Sequence, residues 1–213
     1  MGILEDISVA LQSGRSAKVK ENVTLALEEG IKPQQILEEG LIAGMNIIGE
    51  KFKHNEVFVP EVLVAARAMN AGTALLRPHL VAEGVQSKGV VIIGTVKGDL
   101  HDIGKNLVKM MIEGKGMTCV DLGVDVAPEA FVDAAVENDA KIICCSALLT
   151  TTMVEMKNVV AECKKRGIRD KVKIMVGGAP ITQAFCDEIG ADCYTSDAAS
   201  ASDAALAICE GRF

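Results

Sequence analysis

At 213 residues the chain has room for one large domain or two small ones, and with 49% hydrophobic residues it has ample material for a core. It contains no tryptophan and a single tyrosine, so that core must be aliphatic, and a composition this apolar excludes a disordered chain. The formal charge of −7 argues against nucleic acid or an anionic membrane as a partner, because both require basic patches. No apolar run reaches the length of a membrane span. Met1 to Asp6 carries neither a signal-peptide pattern nor a myristoylation site, so a cytoplasmic location is expected. The seven cysteines include no Cys-x-x-Cys pair, and their odd number reads as reduced, mostly buried thiols.

Taken in chain order, the first elements are helical. A short helix is expected from Ile3 to Leu11. Val19, Val23, Ala26 and Leu27 then recur at helical spacing, with Gly30 placed to end that helix. Pro33 suits the first position of the next helix, which carries Ile36, Leu37, Leu41, Met45, Ile48 and Phe52 on roughly one face. Pro60 opens a fourth, marked by Val62, Ala65, Met69, Gly72 and Leu76 and fading near Ala82. These segments predict an N-terminal four-helix bundle over residues 1–83.

Residues 84–89 are polar and glycine-containing, and read as a linker. From residue 90 to 213 short β-rich runs alternate with amphipathic helices. The strands are expected at Val90–Ile93, Thr118–Leu122, Ile142–Ser146, Lys173–Val176 and Asp192–Tyr194, with a last helix from Ala198 to Cys209. The alternation implies an α/β fold, a flavodoxin- or Rossmann-like doubly wound parallel sheet of five strands in the order 2-1-3-4-5. Its switch point falls between strands 1 and 3, and ligands of such sheets bind at the C-terminal strand ends.

The loop after strand 1 carries the densest chemistry, Gly98-Asp99-Leu100-His101-Asp102-Ile103-Gly104. Asp99 and His101 alternate as in an extended segment and can face one side, which suits an imidazole that ligates a metal through one nitrogen while a carboxylate holds the other. Three other readings compete at this point. The histidine can be an ordinary surface residue. Asp99, His101 and Asp102 can hold a divalent ion. The glycines can cradle a phosphate, although they fit neither the dinucleotide fingerprint nor the P-loop. At the same sheet edge, strand 3 leads into Ser146-Ala147-Leu148-Leu149-Thr150-Thr151-Thr152, strand 4 into Gly177-Gly178, and strand 5 into Tyr194-Thr195-Ser196-Asp197. Thr151 or Thr152 also suits the N-cap of the following helix.

The spacing Asp99-x-His101-x-x-Gly104 resembles the cobalamin-binding signature of B12-dependent methyltransferases and mutases. Ser146-x-Leu148 with its threonine run resembles that family's second signature, and Gly177-Gly178 its third. Phe52-x(5)-Phe58-Val59-Pro60-Glu61-Val62 resembles the helical cap of the methionine synthase cobalamin module. The chain as a whole is most similar to the small corrinoid proteins of methylamine, methanol and aromatic O-methyl methyltransferase systems.

The resemblance implies a cobalamin or related corrinoid as cofactor, with His101 as the lower axial cobalt ligand in place of the cofactor's own base. Asp99, His101 and Ser146 form the implied catalytic set, in which Asp99 and Ser146 buffer the proton that His101 takes up on leaving the metal. Gly98, Asp102, Ile103, Gly104, Leu148, Thr150, Gly177, Gly178, Tyr194 and Asp197 are the further implied cofactor contacts in the α/β half. Phe52, Phe58 and Val62 are the implied contacts in the cap, although Val62 also suits a core position. The implied function is to carry a methyl group on cobalt from a substrate-specific methyltransferase, expected to be a TIM barrel, to a second methyltransferase acting on tetrahydrofolate or a thiol. A reductive activation protein is the third implied partner. On this reading the chain does not turn over alone. A B12-dependent mutase subunit would share the α/β motifs but has no need of a helical cap, and a B12-sensing regulator would need a DNA-binding or signalling domain.

Overall fold

Small residues set the geometry of the helical half. Helix α1 (Ile3–Gln12) buries Ile7 and Leu11 completely, and α2 (Ser16–Glu28) buries Val19, Val23 and Ala26. The third rod is continuous but changes winding along its length. A turn opened by Pro33, α3 (Pro33–Gln35), passes into a π-helical stretch over Ile36–Ile42 and then into α4 (Ala43–Lys53). The π stretch is a departure from the regular helix expected there. Its wider turn places Ile36 and Leu41, five residues apart, both in the interior. Gly40 and Gly44 lie against α1, where a Cβ on either would come within 3.1 Å of Ile7 or Ser8. Helix α5 (Val59–Ala82) completes the set, with Pro60 in its first turn and Glu61 accepting a hydrogen bond from the Phe58 N–H at 2.9 Å. Each wholly buried Leu or Ile here contributes about 1.5–3 kcal/mol.

The computed structural model describes residues 2–84 and 86–213, so Met1 and Val85, the latter in the expected linker, lie outside the described residues. The described chain divides into a helical unit, extending to Ser87 and including residues 114–116, and an α/β unit of Lys88–Glu113 and Met117–Phe213.

In the α/β unit, five strands among the described residues form one sheet in the order β2-β1-β3-β4-β5, parallel throughout, as the alternation of strand and helix predicts. They are β1 (Val90–Thr95), β2 (Thr118–Asp121), β3 (Ile142–Ser146), β4 (Lys173–Gly177) and β5 (Cys193–Tyr194). The connecting helices are α6 (Ile103–Glu113), α7 (Pro128–Glu137), α8 (Val154–Lys165) and α9 (Gln183–Ile189), with α10 (Ala198–Cys209) at the end. Successive strand residues point to opposite faces. Ile92, Ile143, Cys145, Ile174 and Val176 therefore join Phe131, Met156 and Val159 in one core. Val91, Ile93, Ile142, Cys144 and Met175 join Ile112, Ala205 and Ile208 in the other. Gly94 in β1 makes room for Phe131, whose ring a Cβ would approach to 2.9 Å.

The register brings Thr95, Ser146 and Gly177 into one row across β1, β3 and β4. The three loops that follow therefore leave the sheet at one level, beside one another. All seven cysteines are free and six are buried, and burial pushes the Cys119 thiol up to about 12 and those of Cys163 and Cys186 to about 11. Among the described residues, no helix is long and apolar enough to cross a membrane.

Candidate functional site

The site is built around a carboxylate with no solvent exposure. Asp99 lies in the loop between β1 and α6 at 0% exposure and accepts five hydrogen bonds. Its Oδ1 accepts from the His101 backbone N–H at 3.1 Å and from His101 Nδ1 at 2.7 Å. Its Oδ2 accepts from the backbone N–H groups of Leu148 and Leu149, at 2.8 and 3.1 Å, and from Thr152 Oγ1 at 2.8 Å. Burial alone would raise the Asp99 pKa. The bonds from the His101 ring and from the Leu148, His101 and Leu149 N–H groups outweigh it and hold the carboxyl well below the usual carboxylate range.

An ionised Asp99 can only accept, so the proton between the two side chains sits on His101 Nδ1. In the neutral imidazole the lone pair is then on Nε2, on a ring whose side chain is 51% exposed. The main chain of His101 is held as well, because the buried Thr95 hydroxyl donates to its carbonyl at 2.8 Å. The imidazole is thus fixed in tautomer and position while its free nitrogen remains accessible.

The surroundings of this ring suit a large, flat, partly apolar ligand. Leu100, Ile103, Leu148 and Leu149 are all exposed, Ile103 at 78%, although apolar side chains of this size ordinarily find cover. Gly104 and Gly177 have open space where a Cβ would stand. Gly178 adopts φ +133°, and a Cβ there would fall 1.9 Å from the Ala147 carbonyl oxygen, so glycine is required twice over. A bulky cofactor bound here would meet bare backbone at Gly177 and an imidazole nitrogen suited to a transition metal such as cobalt. The residues present therefore fit a corrinoid. Among the described residues, no three metal-ligating side chains converge, so the divalent-ion alternative for Asp99, His101 and Asp102 has no geometry behind it.

Several expected site residues have local partners of their own. Ser146 ends β3 in the same row as Thr95, and its hydroxyl makes no hydrogen bond among the described residues. The hydroxyl that reaches Asp99 belongs to Thr152. Nor does Thr152 cap α8 through its side chain, since the N-cap position is Met153 and makes no side-chain cap bond. Thr150 is exposed on the same loop. Asp102 lies just before α6, where its Oδ2 accepts from Asn106 Nδ2 at 3.1 Å. Asp197 is the N-cap of α10, with Oδ1 bound to the Ser200 N–H and Oδ2 to the Ser200 hydroxyl, so both its oxygens are engaged in capping. Tyr194 packs partly buried against the core. Val62 is wholly buried, in keeping with a core position, while Phe58 is 63% exposed and Phe52 half-buried.

Thr95 and Asp125 carried no expected site role, and Thr152 was expected only in the threonine run and as a helix cap. Thr95 ends the strand that leads into the histidine loop, whereas Thr152 and Asp125 reach that loop from other parts of the chain.

A doubly wound sheet that presents a carboxylate-held imidazole beside bare backbone, at its switch point, defines a module for binding a large cofactor. Comparison with known proteins specifies which. Residues 89–206 match one B12 binding domain family model and residues 3–77 a second. The chain is 44% identical to a dimethylamine corrinoid protein of Methanosarcina acetivorans, over 94% of this chain and 93% of that one. It is 46% identical to a trimethylamine corrinoid protein of the same organism, over 81% of each. Among solved structures, a methanol:cobalamin methyltransferase complex from Methanosarcina barkeri matches with a TM-score of 0.88 at 30% identity, covering 98% of this chain and 80% of that one. The chain belongs to the family of corrinoid proteins built on the B12 binding domain.

Proposed function

We propose that this protein carries a methyl group on the cobalt of a bound corrinoid, between a methyltransferase that loads it and another that unloads it, with His101 Nε2 as the lower axial ligand. The observation that carries the reading is the His101 imidazole, held through Nδ1 by a fully buried, ionised Asp99 with its second nitrogen accessible. The named relatives are methylamine corrinoid proteins, and the solved complex pairs cobalamin chemistry with a methyltransferase, which supports the carrier role. When bound, the cobalt supplies the chemistry by accepting and giving up the methyl group.

The chain's own residues bind, orient and balance charge. Gly104 and Gly177 leave room for the cofactor, and Leu100, Ile103, Leu148 and Leu149 give it apolar cover. Asp99 keeps the imidazole aimed. Whenever His101 is off the metal, Nε2 is free to take a proton, and the Asp99 carboxylate lies 2.7 Å from Nδ1 to stabilise the resulting cation. The Thr152 hydroxyl and the Leu148 and Leu149 N–H groups keep that carboxylate charged. The loading methyltransferase, the unloading one (acting on tetrahydrofolate or a thiol) and a reductive activation protein are the proposed partners.

The test is reconstitution with cobalamin and with a base-free corrinoid, followed by electron paramagnetic resonance of the Co(II) state. Nitrogen superhyperfine splitting is expected with both and is lost in His101→Ala. Splitting that persists in the variant means another residue ligates the cobalt. In a methylation assay, the loaded protein is expected to accept a methyl group from a methylated donor only when a cognate methyltransferase is present. Saturable methylation by the chain alone overturns the carrier reading.

A further inference from the structure

Asp125 lies in the loop between β2 and α7, and its side chain is exposed, yet its bonds run to the histidine loop. Its Oδ1 accepts from the Gly98 N–H at 2.7 Å, and its own N–H donates to the Asp99 carbonyl at 3.0 Å. The residue holds φ at +54°, in the left-handed region that is strained for residues other than glycine and that Asp and Asn tolerate best. An aspartate in that conformation, with both of its polar groups directed at a loop 26 to 27 positions earlier in the chain, is more than a turn residue.

We propose that Asp125 is a positioning residue for His101, fixing the backbone of Gly98 and Asp99 and through it the carboxylate that aims the imidazole. The proposal rests on His101 being the metal-binding residue. The contacts close a ring. Gly98, at φ +79°, lies against Thr152, whose Cγ2 would stand 3.5 Å from a Cβ added there. Thr152 donates to Asp99 Oδ2, and Asp99 returns to Asp125 through its carbonyl. The strand leading into the loop is secured on both sides. On one, Val96 N–H donates to the Ser146 carbonyl. On the other, Val96 pairs with Val126, whose N–H donates to the Thr95 carbonyl. The carboxylate of Asp99 is therefore set from the β3–α8 side and its main chain from the β2–α7 side. Displacing either misaligns the bond to Nδ1, whose strength depends steeply on geometry.

Two variants separate positioning from folding. Asp125→Gly removes the carboxylate and relieves the positive φ, so the thermal midpoint of the full-length protein is expected to hold or rise. Asp125→Asn keeps an oxygen acceptor for the Gly98 N–H and tolerates the left-handed conformation. Without cofactor, nitrogen NMR of the His101 ring reports the tautomer ratio. The excess of the Nδ1-protonated form is expected to fall about tenfold in Asp125→Gly, in line with loss of one charge-assisted hydrogen bond, and to be retained in Asp125→Asn. In the cobalamin-loaded Co(II) protein, the fraction of centres showing nitrogen splitting is expected to fall in the glycine variant and recover in the asparagine one. A folded Asp125→Gly protein with an unchanged tautomer ratio overturns the proposal. If the wild-type protein itself shows no splitting from His101, the cobalt-ligand reading fails, while the tautomer ratio still decides the role of Asp125.

Discussion

In the helical unit, Gly40, Gly44 and Gly72 lie inside helices, and what a side chain there would meet is chiefly the neighbouring helix: Ile7 for Gly40, Ser8 for Gly44, Leu41 and Val19 for Gly72. In the α/β unit, Gly98 and Gly178 lie in loops at positive φ, and Gly178 stands against the backbone of Ala147. At these positions absence of a side chain serves close helix packing in one unit and fixes the course of the main chain in the other. The two uses differ in tolerance, because the tip of a leucine can rotate away and a carbonyl at the end of a buried strand cannot. The polar groups divide in the same way. The helical unit relies on aliphatic interdigitation, whereas the α/β unit gathers five hydrogen bonds on the buried Asp99 carboxylate at one sheet edge.

Substitutions can break this comparison. The largest effect is expected at Gly178→Ala, where positive φ and a 1.9 Å approach to Ala147 combine. A destabilisation of about 3 kcal/mol or more is expected in chemical denaturation, with loss of corrinoid binding in the folded fraction. Ordinary stability with ordinary binding would show that the Gly177-Gly178 turn is adaptable, and the contrast with the helical unit would vanish.

Asp99→Asn comes next. The amide replaces an acceptor-only group that receives five hydrogen bonds with one that has donors to place, at an expected cost of about 2–3 kcal/mol. The linkage sign follows from the lowered pKa. Asp99 contributes its stabilisation at neutral pH and above the ordinary carboxylate range, and loses it as the pH falls from about 4 towards the depressed folded value. Acid titrations of stability are therefore expected to be less steep in the variant than in the wild type. Equal slopes would mean that Asp99 is not the charge that the loop stabilises.

Gly72→Ala is the smallest. Its Cβ would meet Leu41 Cδ2 at 2.8 Å and Val19 Cγ1 at 2.9 Å, both ends of side chains. Overpacking of about 1–2 kcal/mol is offset by a helix-propensity gain of about 1 kcal/mol, so a net change within about 1 kcal/mol is expected, with the cobalt spectrum untouched. A loss as large as that at Gly178 would place the two units on the same footing.

Periodicity along the chain determined much of this protein. Helical spacing up to Ala82 gave the four rods, and strand–helix alternation beyond residue 90 gave the parallel sheet, its strand order and its switch point. Asp99-x-His101 was legible for the same reason: two residues apart in an extended loop, the pair is brought together by local chain geometry, which spacing records. The π-helical winding at Ile36–Ile42 was not legible, because it depends on how that rod packs. The cap bonds of Asp197 to Ser200 were not foreseen either. The burial of Val62 was legible, since a valine at helical spacing suits the core, although the same residue also fitted the cap pattern. Only the tertiary structure decided that Thr152, rather than Ser146, completes the Asp99 network, and that Asp125 holds the loop's main chain. These partners lie 53 and 27 positions from the groups they bind. They meet because parallel pairing aligns Thr95 with Ser146 across β1 and β3, and Ile93 with Asp121 across β1 and β2, so that the loops after neighbouring strands converge. That register is set by the packing of two apolar cores, and sequence spacing carries no record of it.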